Sequence, residues 1–315
     1  MTQLVAETLK VALVGAGSLG SALLAHLEGA VQDGASLSIA AWDVDQGGSD
    51  AVAVREADCW ILAVESGATC DILEALAAER RSPVRILNAG KALDPGSGRR
   101  SSVLAAEALG DRLEGYAVLA GAIRAEGLRR GSRLHATIAS RSRDADRWAR
   151  ALFRPQYIDL EFSADLIGVE FASAFGTVLA LAAGIAKGAG VGACAQARLM
   201  TSLLCELADL AISLGADTDT FSLRSRVWTA EVCLSGTAAT PSREFGVLLG
   251  RGFSVDEALA ASSHWDSGIE GYQTACALGR LMDARPPGKL CGVFELVVGA
   301  RTLVETLDGW FGGAR

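Results

Sequence analysis

The chain has 315 residues, half of them apolar, and carries 29 Lys and Arg against 37 Asp and Glu, for a formal net charge of −8. This length is enough to bury a large core and to form about two domains. Because the acidic and basic residues are interspersed, no basic surface favours nucleic acid or an anionic membrane as a partner.

Cysteine usage and the apolar segments limit the cellular setting. The seven cysteines include no C-x-x-C pair, so we expect reduced core residues, a cytoplasmic protein and no metal site. The stretch Met1–Thr8 has no basic residue, and we expect no signal peptide. The apolar stretch Ile167–Ala186 contains Glu170 and is rich in Ala and Gly, which predicts a buried helix rather than a membrane span.

The most informative motif lies near the start of the chain. Four apolar residues, Val11–Val14, are separated by a short turn from a helix-compatible stretch at Ser21–Glu28. The turn contains Gly15, Gly17 and Gly20. In a strand, turn and helix of this kind the first glycine permits the turn, the second admits a diphosphate to the backbone, and the third lets helix and strand pack closely.

The beginning of this helix offers a place for phosphates. Backbone N–H groups at Ser18 and Leu19 and the positive end of the helix dipole face an anion there. The next apolar run, Leu37–Trp42, ends at Asp43, which is 43 − 20 = 23 residues after the last glycine. A carboxylate at this distance binds ribose hydroxyls and repels a 2′-phosphate, which predicts NAD rather than NADP. A turn that serves only chain reversal stays open as the alternative.

The distribution of helical and strand patterns predicts two domains. Short β-type runs alternate with helical stretches up to Ser163, and Ala, Leu and Gly in helical periodicity follow. We predict an α/β Rossmann-type NAD-binding domain with a mostly parallel sheet over 1–162, and an all-α substrate domain over 163–315, to which the family resemblance given below adds a role in dimerisation. Strands are predicted at Val11–Val14, Leu37–Trp42, Cys59–Val64, Val84–Leu87, Ala117–Leu119, Leu134–Ala139 and Tyr157–Leu160. Further helices are predicted at Thr69–Arg80, Arg143–Phe153, Ala197–Leu214, Arg243–Leu249, Ser254–Ala261 with a capping box, and Ile269–Met282.

Further motifs follow one another along the chain. They are Gly-Ala-Gly-Ser-Leu-Gly from Gly15, Asn-Ala-Gly-Lys-Ala-Leu from Asn88, Asp-x-x-Gly-x-Glu from Asp165, Phe-Gly-x-Leu-Leu-Gly from Phe245 and Glu-Gly-x-x-Thr from Glu270. Their order resembles the NAD-dependent glycerol-3-phosphate dehydrogenase family over nearly the whole chain. The resemblance implies hydride exchange with NAD, a small phosphorylated substrate bound by the helical domain, and commonly a homodimer.

Residues that carry chemistry in that family differ here. On the helix after Gly168 the family has a Lys-Asn pair whose Lys acts in proton transfer, and the matching positions are Gly176 and Thr177. The acidic partner of that Lys is matched by Trp228, with Glu231 three residues further on.

The phosphate-binding segment is altered as well. The family's Ser-Arg-Asn is matched by Ser242-Arg243-Glu244, and an acid beside the arginine weakens an anion site. We assign Arg243 and Thr177 to substrate binding, and we predict that glycerol 3-phosphate is a poor substrate.

Lys91 and His264 are the candidate catalytic residues. Lys91 follows the strand Val84–Leu87 at the edge where open parallel sheets bind ligands, and the resemblance places a substrate-contacting lysine there; a solvated loop lysine is the alternative. His264 lies just ahead of Glu270, in a segment that the resemblance places near the nicotinamide. We therefore consider His264 a replacement acid and Glu270 a cofactor contact.

The sequence leaves several functions open. The chain is predicted to be an NAD-dependent oxidoreductase that acts on a small carbonyl or hydroxy substrate other than glycerol 3-phosphate. A non-catalytic relative that binds a dinucleotide or a protein partner is the alternative, and reduction of dihydroxyacetone phosphate is the least favoured.

Overall fold

The structure is a computed structural model that describes residues 8–43, 51–91, 93–142, 144–153, 156–263, 268–281 and 288–312. The chain divides into two compact units. The α/β unit comprises Met1–Val64, Ala68–Gly90 and Ser102–Leu166, and the helical unit comprises Glu65–Gly67, Lys91–Ser101 and Ile167–Arg315. Two short segments from the first half of the chain, one of which begins at Lys91, therefore belong to the helical unit.

A single sheet forms the centre of the α/β unit. Its strands are β1 (Leu9–Val14), β2 (Leu37–Trp42), β3 (Cys59–Leu62), β4 (Val84–Asn88), β5 (Leu113–Ala120), β6 (Leu134–Ala139) and β7 (Ile158–Ser163). Within the described residues the order is β2-β1-β3-β4-β5-β6-β7, and all neighbours are parallel except β5 and β6. This confirms the predicted mostly parallel sheet.

The inner strands are buried along their whole apolar runs. Every residue of Val11–Val14 and of Cys59–Leu62 is at most 1% exposed. Continuous rather than alternating apolar runs are typical of parallel strands that are covered on both faces. The carboxyl ends of β1 and β2 lead directly to Gly15 and Asp43, so the buried strands position both ends of the predicted dinucleotide motif.

The helices of the α/β unit agree with the predictions in part. They are α1 (Ser18–Gln32), α2 (Ala51–Glu56), α3 (Thr69–Glu79), α4 (Ser101–Leu109), α5 (Ala125–Arg129) and α6 (Asp144–Leu152). The predictions for α1, α3 and α6 are confirmed within a few residues. The short helices α2 and α5 were not predicted, because five or six residues are too few to display a helical period.

The second unit is helical throughout its described residues. Its helices are α7 (Leu166–Gly188), α8 (Ala193–Ser213), α9 (Arg226–Thr237), α10 (Pro241–Gly250), α11 (Val255–Ala261), α12 (Glu270–Leu281), α13 (Gly288–Val297) and α14 (Leu303–Phe311). The predicted capping box of α11 is confirmed: Ser254 and Glu257 each bond the other's backbone N–H. An equivalent pair, Thr302 and Glu305, begins α14.

The long helix α7 is the core of this unit. Among the described residues it is the helix that has the length and composition to cross a membrane, and 94% of its most apolar window is buried inside the fold. The core helix of a folded domain meets the same criteria. The prediction of a buried helix is confirmed.

Glycines bring α7 and α10 into backbone contact. A Cβ on Gly184 would overlap the carbonyl oxygen of Arg243, and one on Gly246 would overlap that of Leu181. Helices that pack this closely leave no room for side chains between them, which restricts their relative movement. The first turn of α10, with Arg243, is therefore held firmly against α7.

Candidate active site

The glycine turn of the α/β unit closes tightly between β1 and α1. Gly15 has φ +98°, and its N–H donates to the carbonyl of Trp42 at 2.9 Å. A Cβ on Gly15 would come within 2.5 Å of the carbonyl oxygen of Ala63, and one on Gly20 would overlap that of Gly15. Both positions therefore require glycine for the turn itself.

Gly17 lies on the open side of this turn. No described atom lies within 4 Å of a Cβ built there, so a ligand can approach the backbone. Helix α1 begins at Ser18, and the first N–H groups of a helix, including that of Leu19, lack intrahelical partners. Asp43 Oδ2 accepts a hydrogen bond from Ala16 N at 2.6 Å. Open amides and an adjacent carboxylate fit the diphosphate and ribose of a dinucleotide.

Arg129 also lies at this turn, and the sequence did not predict it. Its Nη2 atom donates to the carbonyl oxygen of Ser18 at 2.8 Å and lies 3.0 Å from Ser18 Oγ. The guanidinium adds a positive charge beside the helix start. No local signal identifies it, because the two residues are 111 positions apart.

Lys91 is partly buried in the helical unit and paired with Glu231. Lys91 Nζ and Glu231 Oε1 are 2.7 Å apart, and the two side chains are 14% and 6% exposed. This is a charge-assisted hydrogen bond in a partly dehydrated environment. Lys91 is therefore not a solvated loop residue.

Gly176 provides the space that Glu231 occupies. A Cβ on Gly176 would come within 2.7 Å of Glu231 Cβ and 2.8 Å of Glu231 Oε2. Any larger residue at this position of α7 displaces the glutamate. The position at which the resemblance implies a lysine is thus filled from α9 by a carboxylate.

Glu270 completes a small group of charges around Lys91. Burial raises the pKa of the Glu270 carboxyl, Glu231 and Glu65 raise it further, and Lys91 opposes them through its charge and a backbone hydrogen bond. Glu270 is the first residue of α12, and the next amide, Gly271 N, donates to Ser242 Oγ at 2.9 Å.

The predicted substrate residues lie on helices that border this group. Thr177 is buried, and its hydroxyl donates to the carbonyl oxygen of Ala174 at 2.6 Å. This hydrogen bond lies within α7. Arg243 is in the first turn of α10, and its Nε is buried without a hydrogen-bond partner among the described residues. Arg243 is therefore the better-placed group for an oxygen ligand.

Two further positions bear on the predictions. Trp228, at the position where the resemblance implies an aspartate, is 5% exposed and packs edge-on against Phe221 at 5.0 Å between ring centroids. His264 lies outside the described residues. Among the described residues no group of three or more His, Cys, Asp and Glu side chains is suited to a metal.

Comparison with known proteins identifies the family. Residues 165–295 match the family model of the NAD-dependent glycerol-3-phosphate dehydrogenase C-terminus. A glycerol-3-phosphate dehydrogenase (NAD(P)+) from Bacillus cereus strain B4264 is 30% identical, over 72% of this chain and 67% of its own length. The chain belongs to the NAD-dependent glycerol-3-phosphate dehydrogenase family. The same enzyme from Thioalkalivibrio sulfidiphilus is 34% identical, over 71% of this chain.

The match to several relatives is partial in length. It spans 66% of the Thioalkalivibrio protein and 60% of the Syntrophomonas wolfei protein. By structure, the chain is similar to glycerol-3-phosphate dehydrogenase from Coxiella burnetii, with a TM-score of 0.82, 21% identity and coverage of 96% and 98% of the two chains. The Plasmodium falciparum enzyme gives 0.81 at 12% identity.

These findings confirm the coarse predictions. The family and the fold, an α/β unit followed by a helical unit, agree with those expected, and membership of this family supports NAD as the cofactor. The curated relatives are named as glycerol-3-phosphate dehydrogenases that use NAD(P)+. The roles of individual residues and the preference for NAD over NADP stay predictions.

Proposed function

We propose that this chain is an NAD(H)-dependent oxidoreductase that interconverts a small carbonyl compound and its alcohol, and that glycerol 3-phosphate is not its preferred substrate. The observation that supports a different substrate is the pairing of Glu231 with Gly176 on α7. A carboxylate stands where the resemblance implies an ammonium group. An additional negative charge disfavours a dianionic phosphate ester.

The cofactor half of the proposal concerns the glycine turn. The open face of Gly17 and the amides of Ser18 and Leu19 are assigned to the diphosphate, and Asp43 to the adenosine ribose. Gly15 and Gly20 support the turn from behind. Bound NADH supplies the hydride, and Glu270 is proposed to lie beside the bound cofactor.

The substrate half of the proposal concerns the helical unit. Lys91 and Arg243 are cations, and Glu231 neutralises the first. Among the described residues assigned to the substrate, Arg243 is then the cation whose buried Nε has no hydrogen-bond partner. Such a site suits a neutral or singly charged substrate. Lys91 and His264 are the proposed catalytic residues, and Arg243 and Thr177 the proposed substrate contacts. A homodimer and a cytoplasmic location complete the proposal.

The test combines binding with turnover. NADH is titrated against the protein by fluorescence, and NADH consumption is then measured with dihydroxyacetone phosphate, dihydroxyacetone and a panel of small aldehydes, ketones and 2-oxo acids. We expect NADH to bind, and the best unphosphorylated compound to exceed dihydroxyacetone phosphate in kcat/KM by at least about tenfold, which is 1.4 kcal/mol. Preferred turnover of dihydroxyacetone phosphate contradicts the proposal.

A second candidate is a non-catalytic dinucleotide-binding or partner-binding relative. It is favoured by the mutual neutralisation of Lys91 and Glu231, because a satisfied buried ion pair also serves structure alone. Tight NADH binding without turnover of any carbonyl compound is the result that supports this candidate.

A further inference from the structure

Proton transfer at a substrate oxygen requires a group that can release a proton. Among the described residues assigned to the substrate, Lys91 and Arg243 are the cations. A guanidinium remains protonated under all ordinary conditions, whereas an ammonium gives up its proton readily. Lys91 is therefore the cation able to act as a general acid in reduction and, as the amine, as a general base in oxidation.

An acid of this kind must be held in one place. Lys91 lies in the segment after β4, and 140 residues separate it from Glu231 on α9. The 2.7 Å contact between these largely buried side chains holds Nζ beside Glu231 Oε1. An ammonium group carries three N–H donors, and the contact with Glu231 uses one of them.

The same contact depends on Gly176. A Cβ added to Gly176 would lie within 2.8 Å of Glu231 Oε2. The carboxylate can therefore occupy its place only because residue 176 is a glycine. The loss of a side chain from α7 and the presence of Glu231 are thus parts of one rearrangement.

We propose that Lys91 transfers the proton and that Glu231 positions it, through the space left by Gly176, so that together they replace the lysine that the resemblance implies on α7. This inference rests on the proposed function.

The step balances as follows in the direction of reduction. Bound NADH would supply the hydride to the carbonyl carbon, and as the C=O π bond breaks the carbonyl oxygen would take a proton from the Lys91 ammonium. The products are the alcohol, NAD+ and a neutral amine, which regains a proton from water. Glu231 on α9 does not exchange a proton in this step. Among the described residues Glu270 on α12 is a further acidic group beside Lys91, with Glu65 near Glu270.

The experiment measures NADH-dependent reduction of the panel compound that wild type turns over fastest. Lys91→Met should lower kcat by about 10²- to 10⁴-fold. Lys91→Arg should be equally impaired, because it keeps the charge but not a transferable proton. Glu231→Gln should lower kcat by at least about tenfold with little change in KM. Glu231→Asp should recover part of this loss.

The split between kcat and KM separates positioning from general structural support. Loss of positioning lowers kcat at an unchanged KM, and the shorter carboxylate of Glu231→Asp recovers part of that loss. A purely structural role lowers the fraction of folded protein and leaves kcat per folded molecule unchanged.

Glu170→Gln is the matched control. Arg100 and Glu170 form a second ion pair in the helical unit, 2.6 Å apart with side chains 17% and 5% exposed. Breaking this pair carries a similar structural penalty but should leave kcat per folded molecule unchanged.

Gly176→Ala extends the test without changing any charge. It should displace Glu231 and lower kcat, and adding it to Glu231→Gln should cause little further loss, because both changes remove one contact.

Several results overturn the inference. If wild type turns over a panel compound and Glu231→Gln is as fast, the inference is overturned while the proposed function stands. The same holds if Lys91→Arg is active. Loss of turnover in Glu270→Gln with an unaffected Glu231→Gln assigns the proton to Glu270 instead. If wild type reduces none of the panel, both the proposed function and this inference fail.

Discussion

The glycine turn of the α/β unit and the charged group of the helical unit are constructed differently. The turn consists of backbone: two glycines close it, a third leaves it open, and a helix begins beside it. The charged group consists of side chains from separate segments, Lys91 after β4, Glu231 on α9 and Glu270 on α12. A site made of backbone restricts the residue type at each of its positions. In a site made of side chains, the helices can stay the same while the charged residues occupy different positions.

The difference shows how a helical unit can keep its fold when its charged side chains differ. The packing of α7 on α10 depends on glycines such as Gly184 and Gly246, and none of these carries a charge. Gly176 and Trp228, where the resemblance implies a lysine and an aspartate, lie within that framework. Fold and chemistry are thus separable in the helical unit, whereas in the glycine turn the same residues specify both.

The largest expected effect comes from breaking the ion pair. Lys91→Met leaves Glu231 buried without its cation, and loss of one partner of such a pair costs about 3–5 kcal/mol of unfolding free energy. Replacing both, as Lys91→Met with Glu231→Leu, should recover most of that loss. Urea denaturation followed by circular dichroism measures both variants.

The urea experiment also tests the position of the pair. If Lys91→Met unfolds at the same urea concentration as wild type, the pair is exposed to water, and the charged group is not the compact site described above. Arg100→Met, which removes the guanidinium bonded to Glu170, should be destabilised to a similar degree and serves as the reference.

A smaller effect is expected at the glycine turn. Gly20→Ala should lower the unfolding free energy by about 1–3 kcal/mol, because the added carbon overlaps the Gly15 carbonyl. Gly17→Ala should change it by less than about 0.5 kcal/mol, since the position is open, but should weaken NADH binding because the new methyl group meets the diphosphate. Urea denaturation and NADH titration separate the two effects.

The matched pair at this turn isolates the proposed phosphate contact. NADH binding to Gly17→Ala at wild-type affinity places the diphosphate elsewhere. A large loss of stability in the same variant shows that the turn is as tight at Gly17 as it is at Gly20.

Local patterns predicted what depends on neighbouring residues. The strand and turn around Gly15, the capping box at Ser254 and the buried helix α7 each follow from periodicity or from a short motif, and all were expected. The short helix α5 and its Arg129 were not, because a five-residue helix displays no period and its contact with Ser18 depends on the fold.

The charged group could be predicted from the sequence only in part. Lys91 was predicted from its position after a strand, and Glu231 was noted only as an acid near Trp228. That they pair, and that Gly176 makes room for the pair, depends on how segments 140 residues apart come together. No spacing rule encodes such a contact, since loop and helix geometry decide it jointly.

The smallest expected effect is a pH dependence at Glu270. Burial raises the pKa of its carboxyl above the ordinary value of 4.5. At a pH between the unfolded pKa and the raised folded pKa, the folded protein holds a proton that the unfolded chain has released. Stability therefore falls as the pH rises through this window. Glu270→Gln removes that dependence. Relative to wild type, the variant should gain stability as the pH rises from about 4.5, as measured by thermal unfolding across a pH series.

Glu257 provides a control of the opposite sign. Hydrogen bonds from the backbone and side chain of Ser254 lower the pKa of its carboxyl. Its stabilising contribution is therefore present above the unfolded pKa and disappears as the pH falls through the folded one. Glu257→Gln should thus be less stable than wild type at neutral pH and should converge with it in acid. If the Glu270 and Glu257 variants respond alike, Glu270 is solvated and does not belong to a buried group around Lys91.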